Sequence, residues 1–98
     1  MAKQFFIYIM ASKKNGTLYV GVTSNLVQRV WQHRNDEAPG FTSKYGVHRL
    51  VYYEECPDAE SATRRERQMK KWRRQWKMRL VERFNPSWDD LYEPIVGG

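Results

Sequence analysis

Phe5-Phe6-Ile7-Tyr8-Ile9-Met10-Ala11-Ser12, then Lys13-Lys14-Asn15-Gly16, then Thr17-Leu18-Tyr19-Val20-Gly21-Val22-Thr23, is the stretch on which the fold turns. The two flanking runs are rich in aromatic and β-branched residues, which suit a pleated, half-buried surface. Asn15-Gly16 tolerates left-handed backbone and supplies the turn between them. Side chains alternate between the faces of a strand. A four-residue loop therefore sets Ile7 against Val22, Ile9 against Val20 and Ala11 against Leu18 on one aliphatic face. The opposite face gathers Phe6, Tyr8, Met10, Tyr19, Gly21 and Thr23. A three-residue loop would mix the two sets, so the pattern selects even length and segregated faces. Tyr8 and Tyr19 then lie close together, beside a glycine that leaves room.

Working outward, Ser24 or Asn25 caps a helix running to about Asn35, and Gln28 completes a capping-box-like pair with Asn25. Leu26, Val27, Val30 and Trp31 form its apolar stripe, and Arg29 and His33 stand four residues apart on an adjoining face. Residues 36–48 carry Pro39, Gly40 and Gly46 and read as a loop. Arg49 to Glu55 is a third strand. Asp58 opens the main helix, with Glu60 in its first turn, and this helix is predicted to run, with or without a break, to Phe84 before Asn85-Pro86 ends it. At 100° per residue Ala59, Ala62, Glu66, Met69, Arg73 and Trp76 share one side. Glu66 is the anomaly in that stripe. A carboxylate turned toward a core needs a partner, either an ion pair with a nearby arginine or a metal ion at the edge of the sheet.

Length and composition narrow the class. A chain of 98 residues makes one domain, able to bury roughly two-thirds of its unfolded surface. Its 41% hydrophobic and 14% aromatic content argues against disorder. The longest apolar run, Phe5 to Ala11, is too short to span a bilayer and lacks the layout of a signal peptide, so a cytoplasmic domain is expected. A single cysteine, Cys56, excludes an internal disulfide framework and a multi-cysteine zinc site. The net charge of +6 is unevenly placed: ten of the seventeen basic residues lie between Arg64 and Arg83, against two acids. Such a stripe is either a phosphate-backbone footprint or a solvated face. Within it Lys70, Lys71, Arg74 and Lys77 are the candidate backbone contacts. Trp72 and Trp76 read as helix-packing groups in preference to base-stacking ones.

Phe6-Ile7-Tyr8, then Tyr19-Val20-Gly21, then Arg29 and His33, then Glu66 in a later helix, resembles the GIY-YIG nuclease superfamily. Eleven positions separate Tyr8 from Tyr19, ten more reach Arg29 and four more His33. The resemblance covers residues 4–92. Within the superfamily the chain is most similar to the small stand-alone bacterial group of predicted endonucleases, in which stretches like Gly40-Phe41-Thr42-Ser43-Lys44-Tyr45 and Asn85-Pro86-Ser87-Trp88-Asp89-Asp90-Leu91 recur. Phe6 stands in place of the first glycine, and Val20 in place of the isoleucine of the second triplet. Some members place a lysine just after that triplet, where this chain has Val22 and Thr23; Lys44 is the candidate for that role. Asn85 corresponds either to the late asparagine of the family or, as its place before proline favours, to a helix-ending residue.

The resemblance implies an α+β domain with a small, largely antiparallel three-stranded sheet flanked by helices, acting as an endonuclease on DNA. It implies one divalent ion, magnesium or manganese, held chiefly by Glu66. Arg29 would neutralise the scissile phosphate through paired N–H donors, one tyrosine would orient or deprotonate the attacking water, and His33 either bonds a tyrosine hydroxyl or the phosphate or is a surface histidine. The expected partner is nucleic acid, with a homodimer or a protein partner left open and no membrane. Two other readings remain: a non-catalytic nucleic-acid-binding module of the same fold, and a protein-interaction domain using the basic helix and acidic tail.

Overall fold

The computed structural model describes residues 4–37 and 40–97. Strands β1 (Phe5–Ala11) and β2 (Leu18–Thr23) form the expected hairpin, and β3 (Arg49–Cys56) joins the other side of β1, giving an antiparallel sheet in the order β2-β1-β3. The hairpin register pairs Ile7 with Val22, Ile9 with Val20 and Ala11 with Leu18, as the alternation predicts. Of the two turn residues only Asn15 takes a positive φ, 58°. Gly16 is needed for space instead, because a Cβ there would lie 2.3 Å from the Ser12 hydroxyl oxygen.

The segregated faces become two cores. The aliphatic face, with Ile7, Ile9, Ala11, Val20 and Val51, packs against Ala62 and Met69 of α3 (Ala59–Lys71) and Val81 of α4 (Arg74–Phe84). The aromatic face, with Tyr8, Met10 and Leu50, packs against Leu26 and Val30 of α1 (Leu26–Arg34). Asn25 caps α1 as expected, its side chain accepting the Gln28 N–H at 3.2 Å while its amide donates to Gln28 Oε1. Of the four apolar residues assigned to the α1 stripe, Leu26 and Val30 are buried, whereas Val27 and Trp31 are exposed; His33 takes the remaining inward position.

One local reading is corrected, and one left open is decided. The stretch 36–48 is not wholly loop, because Phe41–Tyr45 forms a short helix, α2. It lies between Gly40 at φ 102° and Gly46 at φ 63°, so the glycines that suggested a loop are its two ends. The Gly46 N–H bonds back to the Ser43 and Thr42 carbonyls. Ala38 and Pro39 lie outside the described residues. The main helix is also broken. Trp72 and Arg73 adopt extended backbone, with ψ near 149° and 148°, separating α3 from α4. A continuous helix over 59–84 would be about 39 Å long, more than the 36 Å longest dimension of the protein. The break lets α4 turn back along β3, and it carries Trp76 out to 51% exposure instead of onto the common face with Met69.

A final short helix, α5 (Tyr92–Gly97), lies near α1 on the aromatic face. Asn85 secures the segment leading to it, donating to the Val51 and Asp89 carbonyls at 3.0 and 2.9 Å and accepting the Asp89 N–H. Among the described residues no helix is long and apolar enough to cross a membrane.

Candidate active site

The aromatic face of the hairpin carries the site. Tyr8 sits on the central strand directly opposite Gly21. A Cβ at Gly21 would come within 2.5 Å of the Tyr8 ring carbon Cζ and its hydroxyl oxygen. Glycine is therefore required there by the close approach of the phenol, which lies over the neighbouring strand. The Tyr8 ring is 6.2 Å from that of Tyr19 and 5.7 Å from the His33 imidazole, and Tyr19 is 5.3 Å from His33. The three rings form a compact trio between the hairpin and α1.

His33 is buried, although its place on the helix suggested a face beside the apolar stripe. Its two nitrogens are both engaged: Nε2 lies 2.9 Å from the Tyr8 hydroxyl and Nδ1 lies 2.9 Å from the Thr42 hydroxyl. Thr42 belongs to α2 and is itself buried. Sequence reasoning misses this role because it depends on a tertiary contact between α2 and α1. A threonine between two glycines is the only local signal.

Charge reaches the trio from both sides. Burial pushes the Tyr8 hydroxyl above the ordinary tyrosine range; Tyr19 and the Glu66 carboxylate add to the rise, and the Arg29 guanidinium opposes it. Burial, followed by the charges of Arg29 and His48, lowers His33 from 6.5 to about 4, so its imidazole is neutral at pH 7. Arg29 is exposed one turn above His33 on α1. Glu66 projects from α3, half-buried, with Lys70 Nζ at 3.0 Å from Oε1. Of the five residues singled out by spacing, Tyr8, Tyr19 and His33 are in contact, and the charges of Arg29 and Glu66 act on the Tyr8 phenol.

Among the described residues no three histidine, cysteine, aspartate or glutamate side chains converge as a metal cage. Glu66 is the carboxylate whose charge reaches Tyr8. One carboxylate suits a hard cation that keeps most of its waters, such as magnesium; a structural zinc site needs four nitrogen or sulfur donors.

The basic stripe divides by face rather than by helix. Lys77 is lowered by partial burial and by the charges of Arg74 and Lys70, and Lys70 itself pairs with Glu66. Arg74 also donates through Nη2 to the Asn15 carbonyl at 2.7 Å and to that of Gly16, clipping α4 to the hairpin turn. Lys71 faces another way, lining an exposed surface of α3 with Arg64 and Arg67, two cations outside the set expected from the sequence. Lys44 is exposed on α2, with Nζ 5.4 Å from the Tyr45 ring. Trp72 packs edge-on to Trp76 at 6.2 Å, and the Arg65 guanidinium lies over the Trp72 ring at 5.0 Å.

Comparison with known proteins matches residues 4–79 to the GIY-YIG catalytic domain. A UPF0213 protein of Desulfotalea psychrophila is 34% identical over 92% of this chain and 82% of its own length. A UPF0213 protein of Autographa californica nuclear polyhedrosis virus is 35% identical over 82% of this chain and 78% of its own. The solution NMR structure of a UPF0213 protein from Bacillus halodurans is similar with a TM-score of 0.56 and 27% identity, covering 92% of this chain and 95% of that one.

Proposed function

The chain belongs to the GIY-YIG catalytic-domain family, within a nuclease superfamily, and from that premise we propose that it is a divalent-metal-dependent endonuclease hydrolysing phosphodiester bonds in DNA. The observation that carries this reading is the Tyr8 phenol bonded to His33 and set against Tyr19, within reach of the charges of Arg29 and Glu66. A pair of tyrosines alone would be an ordinary cross-strand aromatic contact. A neutral imidazole bonded to the hydroxyl, with an arginine and a carboxylate whose charges reach it, supports phosphoryl chemistry instead.

Magnesium or manganese, held by the Glu66 carboxylate, would supply the positive charge that the phosphoryl and leaving oxygens require. Arg29, exposed beside the trio, places paired N–H donors on a non-bridging oxygen of the scissile phosphate. Tyr8 remains a phenol at neutral pH, so it takes a proton from the attacking water only while passing its own to His33 Nε2, 2.9 Å away. The water becomes the nucleophile, the phenol is regenerated, and the imidazole becomes imidazolium. A bound phosphodiester offsets the Arg29 charge that helps to depress His33, making the ring a better acceptor when substrate is present. Lys70 beside Glu66, Arg74 and Lys77 on α4, Lys71 on the exposed surface of α3 and Lys44 on α2 would hold the flanking backbone. Such contacts position the nucleic acid without reading its bases.

The test is a panel of labelled duplex, nicked, branched and single-stranded DNA, with RNA counterparts, incubated with magnesium or manganese. Cleavage by the native protein, abolished in Glu66→Gln with nucleic-acid affinity retained, is the expected result. Binding to the panel without cleavage by the native protein would replace this reading with a non-catalytic nucleic-acid-binding module.

A further inference from the structure

We propose that Thr42 is a positioning residue, its hydroxyl accepting the Nδ1 proton of His33 and so leaving Nε2 to accept the Tyr8 hydroxyl. The role rests on the nuclease reading only where cleavage is measured; the proton arrangement itself can be read without it.

A neutral imidazole has one N–H donor and one acceptor nitrogen, and the partner of one nitrogen selects the function of the other. Here both partners are hydroxyls at 2.9 Å and both are buried, Tyr8 at 2% exposure and Thr42 at 2%. A hydroxyl can donate or accept, so the ring proton could sit on either nitrogen. The acidity of the phenol chooses between the arrangements. The phenol is the more acidic hydroxyl and the better donor, which directs Tyr8 O–H toward Nε2 and sends the ring proton to Nδ1. Thr42 is also rigidly presented: α2 is closed by the left-handed Gly46, and the Thr42 carbonyl accepts the Val47 N–H at 2.9 Å. The opposite arrangement would aim Nε2–H at the Tyr8 oxygen and block transfer from Tyr8 to His33. Valine at position 42 keeps the shape but gives Nδ1–H no acceptor, so the ring proton should move to Nε2.

The experiment uses full-length protein labelled with ¹⁵N-histidine, in which only His33 and His48 contribute ring signals. At pH 7 the native His33 should show the shifts of the Nδ1–H tautomer. Thr42→Val should move it predominantly to Nε2–H, and Thr42→Ser should restore the native pattern. With saturating DNA, kcat should fall about tenfold or more in Thr42→Val with KM unchanged, as when an outer hydrogen-bond partner is removed from a site, and recover in Thr42→Ser. Native His33 protonated on Nε2, or a Thr42→Val variant that keeps the native tautomer, would overturn the proposal. If the native protein cleaves nothing, the nuclease reading fails and the nitrogen shifts alone decide the role of Thr42. Should the valine variant not fold, the native and serine spectra still decide which nitrogen carries the proton.

Discussion

The Tyr8 hydroxyl on β1 and His33 Nε2 on α1 lie 2.9 Å apart in a buried contact spanning twenty-five positions of sequence. This pair distinguishes the two tyrosines. Tyr8 is on the central strand, buried and bonded to the imidazole, while Tyr19 is on the edge strand β2 and partly exposed.

The tyrosines should therefore be unequal. Tyr8→Phe removes the group that hands a proton to His33 and should lower single-turnover cleavage by about 10²-fold or more, the usual worth of positioned proton transfer. Tyr19→Phe should cost less, because the Tyr8–His33 bond survives. Equal losses would show that the proton path does not run through Tyr8.

Gly21→Ala should be disproportionately harmful for so small a change. The added methyl would sit 2.5 Å from the Tyr8 ring, and relief requires the phenol to swing away from His33. Overpacking of this kind costs about 1–3 kcal/mol, measurable by urea denaturation. Cleavage should fall to the level of Tyr8→Phe, and a crystal structure should show the Tyr8–His33 bond lengthened or broken.

His33 should make the fold acid-sensitive. Its pKa is lowered on folding, from 6.5 to about 4, so the unfolded chain binds the proton more readily. Its contribution to stability is whole above pH 6.5, declines as pH falls toward 4, and is lost below that. The loss should be on the order of a few kcal/mol. Denaturation midpoints between about pH 7 and pH 4 should decline steeply in the native protein and less in His33→Gln, which has no ring to protonate.

The cations on α3 and α4 should separate into binding and structural groups. Replacing Lys70, Lys71 and Lys77 by alanine should flatten the dependence of DNA affinity on salt, by about 0.9 in log–log slope for each phosphate no longer neutralised, with little change in melting temperature. Arg74→Ala should also destabilise the fold, by about 1 kcal/mol, because its guanidinium bonds the hairpin carbonyls. An unchanged slope in the triple variant would mean that these lysines form a solvated face.

Sequence by itself determined what depends on short-range periodicity: the hairpin, its register and segregated faces, the cap of α1 at Asn25, and the spacing of Tyr8, Tyr19, Arg29, His33 and Glu66. Alternation on a strand and 100° steps on a helix are properties of the backbone, so they can be read without the rest of the protein. Tertiary structure decided the rest. The α3–α4 break at Trp72–Arg73 carries no proline or glycine, because it follows from the extent of the sheet the helices must cover. Thr42 reaches His33, nine positions away, and Arg74 meets Asn15 and Gly16, nearly sixty positions away, only in the folded chain. Each of these contacts joins residues brought together by packing rather than by local periodicity, and their geometry exists only once the sheet and helices have assembled.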